Sequence, residues 1–163
     1  MGRAADGQAG FGKLLKDARA IAQLDFAARA GRHVLEIGLA SARAPGRTPC
    51  EIEALLAGAI RHAGGEPVPR DVFPMCASIA VNADAAHALP TGRPFEAGDI
   101  VTIDVPMRFQ GWWTDQAGTV RVGDQTCPLA LAAAAVMSAM VAKMQPGVLW
   151  SAVAAAARDE ADR

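Results

Sequence analysis

Two runs of alternating residues, separated by a single short turn, predict a β-hairpin at the centre of this chain. The first run covers 99–109, the second covers 112–122, and only Gln110-Gly111 lies between them. Successive side chains of a strand point to opposite faces. One face of the first strand therefore collects the apolar residues Val101, Ile103 and Val105, while Asp104 points to the other face.

Helical patterns flank the hairpin on both sides. The Thr48-Pro49-Cys50-Glu51 segment has the order of a capping box with proline at the first helical position, and Gly64-Gly65 stops that helix. The predicted elements are one long or two consecutive helices over 13–44, further helices over 49–63, 128–143 and 151–162, a strand over 76–82 and the two hairpin strands. Helices around a small antiparallel sheet define the α+β class. A helix, Pro-Gly, helix unit occurs twice, which is compatible with two similar halves or with chance.

Composition and charge exclude several classes of protein. The formal net charge of -1 offers no electrostatic footprint for nucleic acid or for an anionic membrane. Residues 1–12 are expected to form a flexible N-terminus without a signal peptide, and the apolar run 129–141 is too short to span a bilayer. The widely spaced Cys50, Cys76 and Cys127 predict free thiols in a reducing compartment. We therefore expect a cytoplasmic protein with no membrane partner.

The aspartates at 104 and 115 are the first candidates for chemistry. An even-numbered turn places both on the same face of the sheet. A loop at 109–110 makes them directly opposite, with Cβ atoms roughly 5 Å apart, whereas a loop at 110–111 makes them diagonal at about 7–8 Å. Facing like charges are destabilising unless a cation or a proton lies between them. The simpler interpretation is that each is merely solvated, and a bulge would turn Asp115 to the opposite face.

His87 is the second candidate, because it follows the predicted strand in a turn-like segment that ends in Ala88-Leu89-Pro90. Loops positioned by a rigid sheet are where catalytic groups concentrate. Its simpler interpretation is a loop histidine that bonds a backbone carbonyl. His33 and His62 fall within predicted helices, and a structural role is expected for both.

Several segments, in order and spacing, resemble the methionine aminopeptidases. They are Phe73-Pro74, Ser78-Ile79-Ala80-Val81-Asn82, His87-Ala88-Leu89-Pro90, the strand 98–105 that contains Asp104, and Gly111-Trp112-Trp113-Thr114-Asp115. The resemblance implies the two-halved pita-bread fold. It also implies that Asp104 and Asp115 are metal ligands and that His87 contacts substrate. Ala88 and Gly118 depart from the residues usual in that family.

The resemblance further implies two divalent ions per complete site, with cobalt, manganese, iron or zinc as candidates. These ions would activate water, and the enzyme would remove the N-terminal methionine of peptides or nascent proteins. In the family a histidine and two glutamates complete the metal site, and no segment after Asp115 resembles theirs. We therefore expect 13–163 to be the N-terminal half of the domain, with weak metal binding and no peptidase activity by itself.

Three alternatives stay open at this point. The chain could be a non-catalytic pita-bread scaffold that binds partner proteins, because fold alone does not specify function. It could instead belong with the related prolidases or aminopeptidase P, which share the aspartate pair. It could also associate with a separate C-terminal half, because a half sheet with an uncovered apolar face should dimerise or aggregate.

Overall fold

The computed structural model describes residues 15–84, 86–123 and 126–163, so the predicted flexible segment 1–12 lies outside the described residues. The helices in chain order are α1 (Ala18–Ala42), α2 (Pro49–His62), α3 (Pro128–Lys143) and α4 (Trp150–Ala161). All four match predicted helices. The start predicted at 13 for the first helix is wrong, because Asp17 accepts a hydrogen bond from the Ala20 N–H and caps a helix that begins at Ala18.

Four strands form one antiparallel sheet: β1 (Gly65–Pro67), β2 (Ser78–Val81), β3 (Ile100–Phe109) and β4 (Trp112–Arg121). β3 is central. β4 pairs along its whole length on one side, while β2 and β1 pair with successive parts of β3 on the other. β2 begins two residues later than the predicted strand, and it ends before Asn82 because that residue adopts a left-handed backbone with φ of 57°. β1 was not predicted from the sequence.

One face of the sheet is covered by α1 and α2. The apolar residues of β3 are fully buried beneath these helices: Val101, Ile103, Val105 and Met107. The approach is close, since a Cβ added at Gly38 of α1 would lie 2.9 Å from the Leu56 side chain of α2. A Cβ at Gly118 of β4 would lie 2.8 Å from Leu39 of α1. The prediction of a sheet with an uncovered apolar face is therefore wrong, because these helices occupy that face.

Exposed apolar side chains are concentrated instead on the hairpin of α3 and α4. Within the described residues α3 has no buried side chain, and these two helices pack mainly against each other. Leu129, Leu149 and Trp150 are each at least 70% exposed. Self-association stays a prediction. No helix in the described ranges combines the length and apolarity needed to cross a membrane.

The capping box of α2 is formed as the sequence predicts. The Thr48 hydroxyl accepts the Glu51 N–H at 3.2 Å, and the Glu51 carboxylate accepts the Thr48 N–H at 2.9 Å. Replacing Thr48 by alanine should lower the free energy of unfolding by about 1 kcal/mol, because it leaves a helix N–H group without its partner. Urea denaturation measures this change. A loss below a few tenths of a kcal/mol would show that water replaces the cap.

Candidate metal and substrate site

Asp104 and Asp115 share the face of the sheet that α1 and α2 leave open. In the register of β3 and β4, Asp104 lies opposite Ala117, and Asp115 lies opposite Pro106. The two aspartates are therefore diagonal neighbours, as expected for the 110–111 loop. That loop has φ of 48° at Gln110 and 87° at Gly111, the signature of a type I′ turn. The bulge that would have separated the carboxylates is absent from this ladder.

The two carboxyl groups interact directly. The pKa of Asp104 is raised to about 6, first by burial and then by the hydrogen bond and the negative charge of Asp115. Positive charge on His87 acts in the opposite direction and lowers it. Asp104 is therefore close enough to both Asp115 and His87 to be affected by their charges, although the three residues come from two strands and a loop.

His87 lies in the connection between β2 and β3, and its side chain is exposed. Its imidazole meets the Phe73 ring edge to face, with centroids 5.6 Å apart. The next residue is tied down as well, because the buried Ser78 hydroxyl donates to the Ala88 carbonyl at 3.4 Å. Ser78 itself lies opposite Asp104 in the β2–β3 ladder. This contact brings the loop that carries His87 next to Asp104 and Asp115.

The other titratable groups singled out in the sequence lie elsewhere. His33 is exposed on α1, and His62 is the last residue of α2, which agrees with a structural role. All three cysteines are free, as predicted. Burial and then the nearby Glu53 carboxylate raise the pKa of the Cys76 thiol to about 12, so this thiol stays protonated at neutral pH.

The donor chemistry of the open face fits part of a divalent-metal site. Asp104 and Asp115 offer carboxylate oxygens, which are ligands of manganese and similar hard cations. Two neighbouring carboxylates repel each other, and a cation bound between them relieves this repulsion. Among the described residues no group of three or more histidine, cysteine, aspartate or glutamate side chains could hold a metal. The pair therefore fits as two ligands of a larger set.

Asp104 should make the metal-free chain less stable at neutral pH. Its folded pKa of about 6 exceeds its ordinary value, so its contribution to stability is fully present below that ordinary value and is lost as the pH rises through 6. We expect Asp104→Asn to stabilise the chain at pH 7.5 in the presence of a chelator and to have little effect at pH 4. Urea midpoints at both pH values measure this. If Asp104→Asn were less stable than the unmodified chain at pH 7.5, this would contradict a destabilising negative charge on Asp104.

Comparison with known proteins places this arrangement in a class of enzymes. Residues 22–163 match metallopeptidase family M24, and the chain belongs to that family. Membership in a metallopeptidase family implies binding of divalent metal. Methionine aminopeptidase from Archaeoglobus fulgidus is 34% identical over 119 residues, which cover 71% of this chain and 38% of that protein. The enzyme of the same name from Treponema pallidum is 36% identical over 80 residues, covering 48% and 31%.

Solved structures confirm the predicted fold. Methionine aminopeptidase from Thermotoga maritima superposes with a TM-score of 0.82 at 23% identity, covering 90% of this chain and 61% of that structure. An X-Pro aminopeptidase from the same organism gives a TM-score of 0.75 at 20% identity and covers 95% and 43%. The fold is thus α+β, of the pita-bread type. The chain spans about a third of the length of the two curated relatives above.

Proposed function

We propose that this chain supplies two metal ligands and a substrate-binding histidine to an aminopeptidase that removes N-terminal methionine. The observation that carries the proposal is the meeting of Asp104 and Asp115 on the open face of the sheet, where Asp115 helps to raise the pKa of Asp104 and where His87 is within electrostatic reach of Asp104. The identity to methionine aminopeptidases supports the choice of reaction.

Each residue has a distinct role in this proposal. Asp104 and Asp115 hold divalent metal, which when bound lowers the pKa of coordinated water and polarises the scissile carbonyl. His87 donates a hydrogen bond to the peptide and stabilises the negative charge that develops on it. The edge contact with Phe73 limits the rotation of the imidazole. Two ions, drawn from cobalt, manganese, iron or zinc, are the proposed complement of a complete site.

The proposed substrates are peptides and nascent proteins that begin with methionine, and the proposed compartment is the cytoplasm. Free thiols at all three cysteines support a reducing compartment. The remaining metal ligands would come from protein outside these 163 residues, on the same polypeptide or on another. With two carboxylates alone, water fills most of the coordination sphere, so metal affinity should be low and turnover undetectable.

A chimaera tests the proposal. The chain would replace the matched 61% of the T. maritima methionine aminopeptidase, and release of methionine from Met-Ala-Ser would be measured with manganese or cobalt. We expect turnover from the chimaera, none from the chain alone, and none from chimaeras with Asp104→Asn or His87→Ala. A chimaera that folds but cleaves an Xaa-Pro dipeptide instead would assign the site to the prolidase branch. A folded chimaera that cleaves neither peptide would leave a scaffold role.

A further inference from the structure

The carboxylate of Asp99 joins three parts of the chain at the base of the segment that carries His87. It is 8% exposed. It accepts a hydrogen bond from the Asn82 side-chain amide at 2.7 Å, from the Glu96 N–H at 2.9 Å and from the Arg93 guanidinium at 2.9 Å. The Asp99 carboxylate is thus buried and accepts hydrogen bonds from three groups, which distinguishes it from a carboxylate in a surface ion pair.

Two of these donors lie on either side of the segment 83–92, which carries His87. Asn82 directly follows β2, and its own side-chain oxygen accepts the Ile100 N–H at 2.9 Å at the start of β3. Arg93 lies just after the segment. The same carboxylate therefore holds both ends of the connection between β2 and β3. The Cys50 N–H adds a further tie by donating to the Thr91 carbonyl at 3.1 Å.

The conformation of His87 explains why such a clamp is needed. Its φ is 64°, a left-handed backbone that residues other than glycine adopt at a cost of roughly 1–3 kcal/mol. A strained residue on an exposed segment keeps such a conformation only when its surroundings fix it. Among the described residues, the contacts nearest the histidine are its own ring contact with Phe73 and the hydrogen bond from Ser78 to the Ala88 carbonyl. Most of the strong hydrogen bonds that restrain the segment lie at its two ends.

We propose that Asp99 is a positioning residue, which clamps Asn82 to Arg93 and thereby holds His87 in its strained conformation beside the aspartate pair. Asp99 does not touch substrate or metal in this account, and it acts only through His87. The functional importance of the position of His87 rests on the proposed function. The position itself can be measured without metal or peptide.

Nuclear magnetic resonance of histidine-labelled protein tests the clamp. The chain has three histidines, and His87 is assigned by the signal that disappears in His87→Gln. We expect Asp99→Asn to shift the His87 imidazole signal and to abolish its nuclear Overhauser contact with Phe73. The signals of His33 and His62 should stay in place. Arg93→Gln should weaken the same contact, whereas Arg93→Lys, which keeps the charge, should restore most of it.

Asp25→Asn is the matched control, because it removes an exposed carboxylate that pairs with Arg29 at 2.7 Å and should leave the His87 signal and its Phe73 contact unchanged. Circular dichroism checks that each variant is folded. If Asp99→Asn does not fold, Arg93→Gln alone decides the question. An unchanged His87 signal and an intact Phe73 contact in the folded variants would overturn the clamp. Loss of the contact would support it even if the chimaera failed to cleave any peptide.

Discussion

Replacing Asp104 and Asp115 together by asparagine should abolish divalent-metal binding by this chain. Asparagine keeps the shape of each side chain but removes both negative charges. Mutation of a partner that only supports a ligand typically lowers metal affinity by about 10–100-fold, so loss of two ligands should exceed about 100-fold. The fraction of manganese bound, followed by electron paramagnetic resonance, measures this change.

Asp25→Asn serves again as the control, since Asp25 lies on α1 with its side chain 57% exposed and pairs with Arg29. Its manganese binding should equal that of the unmodified chain. Binding that persists in the double variant would place the metal away from the hairpin. Binding that is lost equally in the control would reveal only nonspecific attraction to carboxylates.

Ile103→Ala should cause a large loss of stability. Ile103 is fully buried at the centre of β3, and it alternates with Asp104 so that its side chain lies under α1 and α2. Truncation removes apolar contacts and leaves a cavity, which typically costs 2–5 kcal/mol, and about the middle of that range is expected here. Urea denaturation at pH 7.5 measures it.

Leu129→Ala is the matched comparison for the core variant. Leu129 is 70% exposed on α3, so its truncation should change the free energy of unfolding by less than about 0.5 kcal/mol. Equal losses at the two positions would mean that the hairpin of α3 and α4 is part of the same cooperative core. That result would contradict the separation of the two helical pairs described above.

Local patterns were sufficient to predict the hairpin and the shared face of its two aspartates. Side chains alternate between the two faces of a strand with a period of two residues. Any turn with an even number of residues therefore places Asp104 and Asp115 on the same face, whichever turn type it adopts. The choice between opposite and diagonal positions depends on the backbone at Gln110, whose φ of 48° lies in the left-handed region that type I′ turns usually fill with asparagine, aspartate or glycine. Glutamine is not one of these residues, so the sequence did not indicate the turn type. The capping box was also predictable, because both of its hydrogen bonds join residues only three positions apart.

Long-range packing accounts for what the sequence did not predict. β1 is three residues long and ends in Pro67, so it has no alternating pattern to detect. The covering of the sheet by α1 and α2 depends on glycines at 38 and 118 that allow close approach, and no local rule links positions 80 residues apart. The role of Asp99 was likewise missed, because its partners Asn82 and Arg93 are brought together only by the fold.

Paramagnetic broadening by manganese locates the metal most directly. When trace Mn²⁺ is added to labelled protein, we expect four signals to broaden first: the backbone signals of Asp104, Asp115 and Ser78 and the imidazole signal of His87. All four residues lie around the open face of the hairpin. Signals from α1 and from α3 should broaden last. Selective broadening around another group of carboxylates, with the signals of Asp104 and Asp115 left sharp, would contradict the assignment of this face as the metal site.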